Sequence, residues 1–137
     1  MGQMYEITCR LCDAKTGVSE GRGMRYGRDF ADLYFNYMSD KDRIAIGMNT
    51  PSGSRNKIKS CSYSNQPLVC TSCNAISSKL AWSIEFESGW KFSPPNRCVE
   101  CQAEMLRLSL PREGEINQKC WECDSEKLHV ELSAVWD

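Results

Sequence analysis

The chain has 137 residues, with 17 Lys and Arg against 18 Asp and Glu, a net charge of −1 and a mean hydropathy of −0.51. That length supplies one small domain or two fused minidomains, and 41% hydrophobic residues beside 26% charged ones leave little material for a large core. The charge balance excludes a globally basic nucleic-acid binder, and no apolar run approaches the length of a membrane span.

A lean core needs staples, and nine cysteines are available to supply them. The start, Met1-Gly2-Gln3-Met4-Tyr5-Glu6, carries no apolar stretch, so no secretory signal is expected. Gly2 does not make a myristoylation site, because Glu6 stands where Ser or Thr is wanted. The expected compartment is therefore the reducing cytoplasm, where paired cysteines hold metal rather than bond to each other.

In chain order, Tyr5 and Ile7 alternate with Glu6 and Thr8, which predicts a strand running into the knuckle Cys9-Arg-Leu-Cys12. Residues 13–28 read as a loop punctuated by Gly17, Gly21, Gly23 and Gly27, with Arg22, Arg25 and Arg28 spaced along it. One helix is expected over 29–42. Phe30, Leu33, Tyr34, Tyr37 and Met38 share a face, Asp29 serves as N-cap and Asp32 completes an approximate capping box. Phe35 lies off that face and is expected to be exposed.

Residues 47–67 read as a long polar loop marked by Gly47, Pro51, Gly53 and Pro67, in which Arg55, Lys57 and Lys59 form a basic run. Cys61, the odd cysteine, has no activating base nearby and reads as an ordinary thiol. After Cys70-Thr-Ser-Cys73, Trp82, Ile84 and Phe86 alternate with Ser83, Glu85 and Glu87. Ser88-Gly89 then turns the chain into Trp90-Lys91-Phe92, a hairpin signature. Leu106, Leu108 and Leu110 predict a short strand stopped by Pro111. Leu128, Val130, Leu132, Ala134 and Trp136 predict a final one, with the lone His129 on its more polar side. The halves carry opposite charge: residues 1–73 hold ten basic against seven acidic residues, residues 74–137 seven against eleven.

The chemistry lies in four Cys-x-x-Cys pairs: Cys9/Cys12, Cys70/Cys73, Cys98/Cys101 and Cys120/Cys123. Two thiolates three residues apart at a tight turn hold one ion from one side, and two such knuckles complete a tetrahedron. The residue after the second cysteine tends to adopt a positive φ. Asp13, Asn74 and Asp124 tolerate that, and Gln102 suits it least. Two structural zinc ions are expected. Spacing leaves three pairings open: sequential, nested and interleaved. Sequential pairing is preferred, because Cys98 to Cys123 already spans a complete four-thiolate ribbon. The expected fold is thus small, metal-stabilised and mainly β: an N-terminal zinc ribbon over 1–95 carrying the helix and basic loop as an insertion, and a C-terminal ribbon over 96–137.

The order of strand and knuckle, the Gly21-Arg22-Gly23-Met24 loop, a helix and a second knuckle, closed by Cys120-Trp-Glu-Cys123 and a strand ending in Trp136-Asp137, resembles small bacterial and phage-type zinc-ribbon proteins of uncharacterised function. That resemblance implies sequential pairing and zinc, and it transfers no catalytic residue. The hairpin between Cys73 and Cys98 and the non-glycine residues after each knuckle depart from the pattern.

Four thiolates close the coordination shell, so a structural rather than hydrolytic metal is expected, and no Ser/His/Asp set or carboxylate pair suggests an enzyme. The expected role is a zinc-binding interaction module, a protein-binding adaptor or regulator. Partner contacts are expected from Arg22, Arg25, Arg28, Arg55, Lys57 and Lys59. Phe35, Tyr63, Trp82, Trp90 and Trp121 read first as core or knuckle-packing residues, and as anchors or stacking platforms only where exposed. DNA or RNA binding is the alternative, followed by iron-thiolate or dithiol redox chemistry. No membrane and no small-molecule substrate is expected.

Overall fold

A computed structural model describes residues 2–21, 30–49 and 58–136. Among these described residues, eight strands and two short helices follow one another: β1 (Gly2–Cys9), β2 (Lys15–Gly21), α1 (Phe30–Asn36), α2 (Asp40–Asn49), β3 (Ile58–Cys70), β4 (Ile76–Phe86), β5 (Lys91–Phe92), β6 (Met105–Arg107), β7 (Glu113–Ile116) and β8 (Leu128–Trp136). The strands form one sheet in the order β5-β4-β3-β2-β1-β8-β7, with β6 on β3 off that path. No helix among the described residues is long and apolar enough to cross a membrane.

Period-two segments form strands as expected. Tyr5 and Ile7 are buried on β1, and Trp82, Ile84 and Phe86 on β4, while Ser83 is exposed between them. Gly89, at φ +88°, turns β4 toward β5, and Phe86 N–H donates to Trp90 O at 2.9 Å. Leu128 and Val130 are fully buried on β8. On the short β6, however, Leu106 is exposed and Met105 buried, so the expected leucine face begins only at Leu108.

Two stretches read as loop are strands. Lys15–Gly21 forms β2, pairing with β1 throughout despite Gly17 and Gly21. Ile58–Cys70 forms β3, the longest strand, paired with β4 from Ile58 to Val69. Its polar residues mislead because Ser60 and Ser62 lie on an open face while Tyr63 and Pro67 are buried on the other. Pro67 fits because its carbonyl accepts from Leu108 N–H at 2.9 Å. The edge its nitrogen shares is therefore the one passing from β2, at Gly21↔Asn65, to β6, at Leu68↔Arg107. The missing donor falls at that junction, not in the β3–β4 ladder.

The expected single helix is two. α1 ends where Tyr37 N and Met38 N both donate to Leu33 O, and Ser39 restarts the chain as N-cap of α2. Asp42 N donates to Ser39 Oγ at 3.2 Å, and Ser39 Oγ donates to Asp42 Oδ2 at 2.8 Å. Arg43 reaches back to the α1 carbonyls, with Nε 2.8 Å from Tyr34 O and Nη2 3.3 Å from Phe35 O. Asp29 lies outside the described residues, as do the side chains of Phe30 and Asp32.

Among the described residues, three clusters fill the interior. The first gathers Tyr5, Ile7, Val18, Ile116, Leu128 and Val130 with Ile76, Leu108, Cys9 and Cys120. The second seats the helices, through Leu33, Met38 and Ile46, on Tyr63, Trp82, Ile84 and Phe86. The third is only Leu68, Cys70, Cys98 and Met105. Cys61 packs against the second cluster, away from the knuckles.

Candidate metal centres

All four knuckles fold alike. The amide of the first cysteine donates across the turn, Cys9 N to Ala14 O, Cys70 N to Ala75 O, Cys98 N to Ala103 O and Cys120 N to Ser125 O, at 2.8–2.9 Å. The residue after the second cysteine takes the left-handed conformation, with φ of 62° at Asp13, 61° at Asn74, 64° at Gln102 and 59° at Asp124. Even Gln102, the least suited, complies, because the turn leaves no other way to bring both sulfurs to one side. Backbone amides aim at the sulfurs: Ser72 N and Cys73 N at Cys70 Sγ, and Glu122 N at Cys120 Sγ, each at 3.4 Å.

Long-range strand pairing decides which knuckles meet. Cys9, Cys12, Cys120 and Cys123 form one group and Cys70, Cys73, Cys98 and Cys101 another, each with its sulfurs within 4.8 Å of one another. This is the nested pairing, so the sequential arrangement is corrected: Cys9/Cys12 do not join Cys70/Cys73, and Cys98/Cys101 do not join Cys120/Cys123. The reason lies between Cys101 and Cys120. That segment makes no hairpin of its own; its two strands take different partners. β6 pairs with the end of β3 and brings Cys98/Cys101 to the β3–β4 knuckle. β7 and β8 pair with each other, and β8 pairs with β1, which brings Cys120/Cys123 to the β1–β2 knuckle. Each set therefore draws ligands from both sides of the expected boundary at residue 95/96.

Both sets fit a tetrahedral ion. Facing sulfurs lie 3.7 Å apart for Cys9–Cys123 and Cys12–Cys120, 3.4 Å for Cys70–Cys101 and 3.6 Å for Cys73–Cys98. A zinc ion with bonds of about 2.3 Å sets a tetrahedral edge of about 3.8 Å. A disulfide would need about 2.05 Å. The first cysteine of every knuckle is buried, Cys12 and Cys101 are exposed, and Cys73 and Cys123 are partly so.

Electrostatics within each set are divided. Ser125 Oγ, 3.3 Å from Cys9 Sγ, together with the backbone at Cys12, lowers the Cys9 thiol to about 6. Cys12 rises to about 12: a backbone contact at Ala14 lowers it, but lost solvation and the sulfurs of Cys123, Cys120 and Cys9 prevail. Cys70 is likewise lowered to about 6, first by the Cys73 amide. Cys73 rises to about 12, as the neighbouring sulfurs and burial outweigh the Ala75 backbone. Crowded thiolates raise one another, and a bound cation removes that penalty, so the donor chemistry suits a metal.

The other proposed contact residues scatter. Arg22, Arg25, Arg28, Arg55 and Lys57 lie outside the described residues. Lys59 is on β3, 3.5 Å from Glu85 Oε1. Tyr63 and Trp82 are buried in the second cluster, Trp90 packs against it, and Trp121 packs against the first. Phe35, 71% exposed, remains at the surface as expected, and His129 lies 3.1 Å from the Arg10 guanidinium. Sequence reasoning passed over Ser125, whose hydroxyl touches Cys9 and Cys123, and over the Asn74–Asp124 contact between the two sites. Their only sequence signal is position within a knuckle.

Family models, curated proteins and solved structures were all compared with the chain, and none matches it. The geometry of the two four-cysteine groups is compatible with zinc-ribbon-like knuckles and with bound metal.

Proposed function

We propose that the chain is a zinc-binding interaction module, in which two structural zinc ions hold a β scaffold that docks a protein partner as adaptor or regulator in the cytoplasm. The observation that carries this reading is the pair of closed four-sulfur shells. Such a shell offers no open coordination position for substrate or water, so the metal organises the fold and does no chemistry. All-sulfur tetrahedral donors suit zinc. The same sulfurs would accept iron, which gives the redox alternative.

A protein partner is favoured by exposed apolar residues on the described surface. Phe35 and Ile44 stand out on the helices at 71% and 61% exposure, and Leu11 and Val99 sit at knuckle tips at 67% and 75%. Exposed aromatics of this kind act as anchors in protein interfaces. Metal analysis of the purified protein should return about two zinc ions per chain and no colour. A Phe35→Asp variant should melt like its parent yet lose a captured protein partner. Stoichiometric iron, a metal-free protein, or an unchanged partner for Phe35→Asp would each contradict the corresponding half of this reading.

A further inference from the structure

We propose that the two sites fill in a fixed order: the inner set, Cys70, Cys73, Cys98 and Cys101, first, and the outer set, Cys9, Cys12, Cys120 and Cys123, second. The outer ion is then a clasp between the β1–β2 turn and the turn before β8, and it is the one surrendered when metal is scarce. This rests on the reading of both sets as zinc sites and adds to it a response to metal supply.

Three observations carry the order. The first is chain closure. Only 24 residues, 74–97, separate the inner knuckles, whereas 107 residues, 13–119, separate the outer ones. Closure probability falls with about the three-halves power of length, so the outer site starts about tenfold behind. The second is what each site needs built around it. The inner ligands pack with Leu68 and Met105, and with the partly buried Ala75 and Ala103, all from residues 68–75 and 98–105. Nothing in that cluster comes from β1, β2, β7 or β8. The outer ligands Cys9 and Cys120, by contrast, share their cluster with Ile76 and Leu108. Ile76 directly follows the β3–β4 knuckle, and Leu108 directly follows β6, which the inner set anchors on β3. An empty inner site therefore loosens two residues of the outer core, while an empty outer site leaves the inner cluster whole.

The third is a direct contact between the sites. Asn74 Nδ2 donates to Asp124 Oδ1 at 3.4 Å. Both residues hold the left-handed turn behind a ligand pair, Asn74 behind Cys73 and Asp124 behind Cys123. Forming the inner knuckle fixes Asn74, and Asn74 then helps to hold the outer knuckle in its liganding turn. Coupling between two binding events is mutual. The order arises because only the inner site can assemble without the other.

Stepwise zinc addition to the metal-free full-length chain, followed by native mass spectrometry with a chelator as competitor, tests this. The parent should pass through a one-ion species. Cys12→Ser should keep one ion with the affinity of the parent's first. Cys73→Ser should hold its remaining ion at least tenfold more weakly than the parent holds its second. Asn74→Gly keeps every thiol and tolerates the left-handed turn while removing the amide that reaches Asp124, so it stays informative should Cys73→Ser fail to fold. It should weaken the second ion by about fivefold and leave the first unchanged. Two ions in the parent, with Cys73→Ser retaining its ion at the parent's second affinity, or Asn74→Gly leaving both affinities unchanged, would overturn the order alone. A parent that binds no zinc would overturn the zinc reading and this inference with it.

Discussion

The outer and inner sites use the same knuckle but live in different surroundings. The outer sulfurs are set into a cluster of ten buried residues, eight of them not cysteine, contributed by five strands and the stretches flanking them. The inner sulfurs are half of their own four-residue cluster. At the outer site the ligands sit among eight buried apolar and aromatic side chains, which an ion would supplement. At the inner site an ion would stand in for a core that the sequence does not supply. Identical ligand sets can thus contribute very different shares of local stability.

The largest expected effect breaks that contrast open. Cys98→Ser should cost more than the ~2–5 kcal/mol of an ordinary large-to-small core change. It would remove a metal site together with one of the four buried residues of a small cluster in which only Leu68 and Met105 are not cysteine. Cys120→Ser should fall inside that range, since Ile7, Val18, Leu128 and Val130 still hold the sheet together. Thermal or denaturant unfolding of the zinc-loaded variants measures both. Equal losses, or a larger loss for Cys120→Ser, would contradict the contrast.

A smaller effect concerns acid. Cys9 and Cys70 are lowered to about 6, so each is a thiolate above that pH and must be stripped of a proton below it. Their stabilising contribution is complete above the ordinary thiol value of 9.0 and is lost as the pH falls from there through about 6. Zinc affinity at each site should therefore steepen below that point by about another tenfold per pH unit. A chelator competition run from about pH 7.5 to about pH 5 reads this slope, and a constant slope across the range would count against it. The smallest expected effect belongs to the inner site alone. Gln102 holds φ 64° without the side chain that tolerates it, so Gln102→Asn should stabilise by roughly 0.5–1 kcal/mol, whereas Asp124→Asn should be close to neutral. Paired melting curves decide, and a destabilised Gln102→Asn would point to a role for the glutamine beyond its backbone.

Local features were legible in the sequence and long-range ones were not. The knuckles, their four left-handed residues, β1, the β4–β5 turn and β8 follow from spacing, period and turn chemistry within a few residues. The partnership of knuckles depends on β6 choosing β3 and β7 choosing β8, and nothing near Leu106 or Glu113 announces that choice. β3 was hidden because serines cover its open face and Pro67 resembles a loop breaker until its edge is known. β2 was hidden by two glycines. The split between α1 and α2 was available in principle: Ser39-x-x-Asp42 is a helix-start signature inside a stretch whose apolar spacing looked continuous.

The nested grouping of sulfurs is the claim from which the site contrast, the filling order and the mutant effects all follow. Cadmium-substituted protein, examined by NMR correlation of each metal with the β-protons of the cysteines whose sulfurs bind it, tests it most directly. One ion should correlate with Cys9, Cys12, Cys120 and Cys123, and the other with Cys70, Cys73, Cys98 and Cys101. An ion shared by Cys9, Cys12, Cys70 and Cys73, or cysteines that correlate with no metal, would contradict the account.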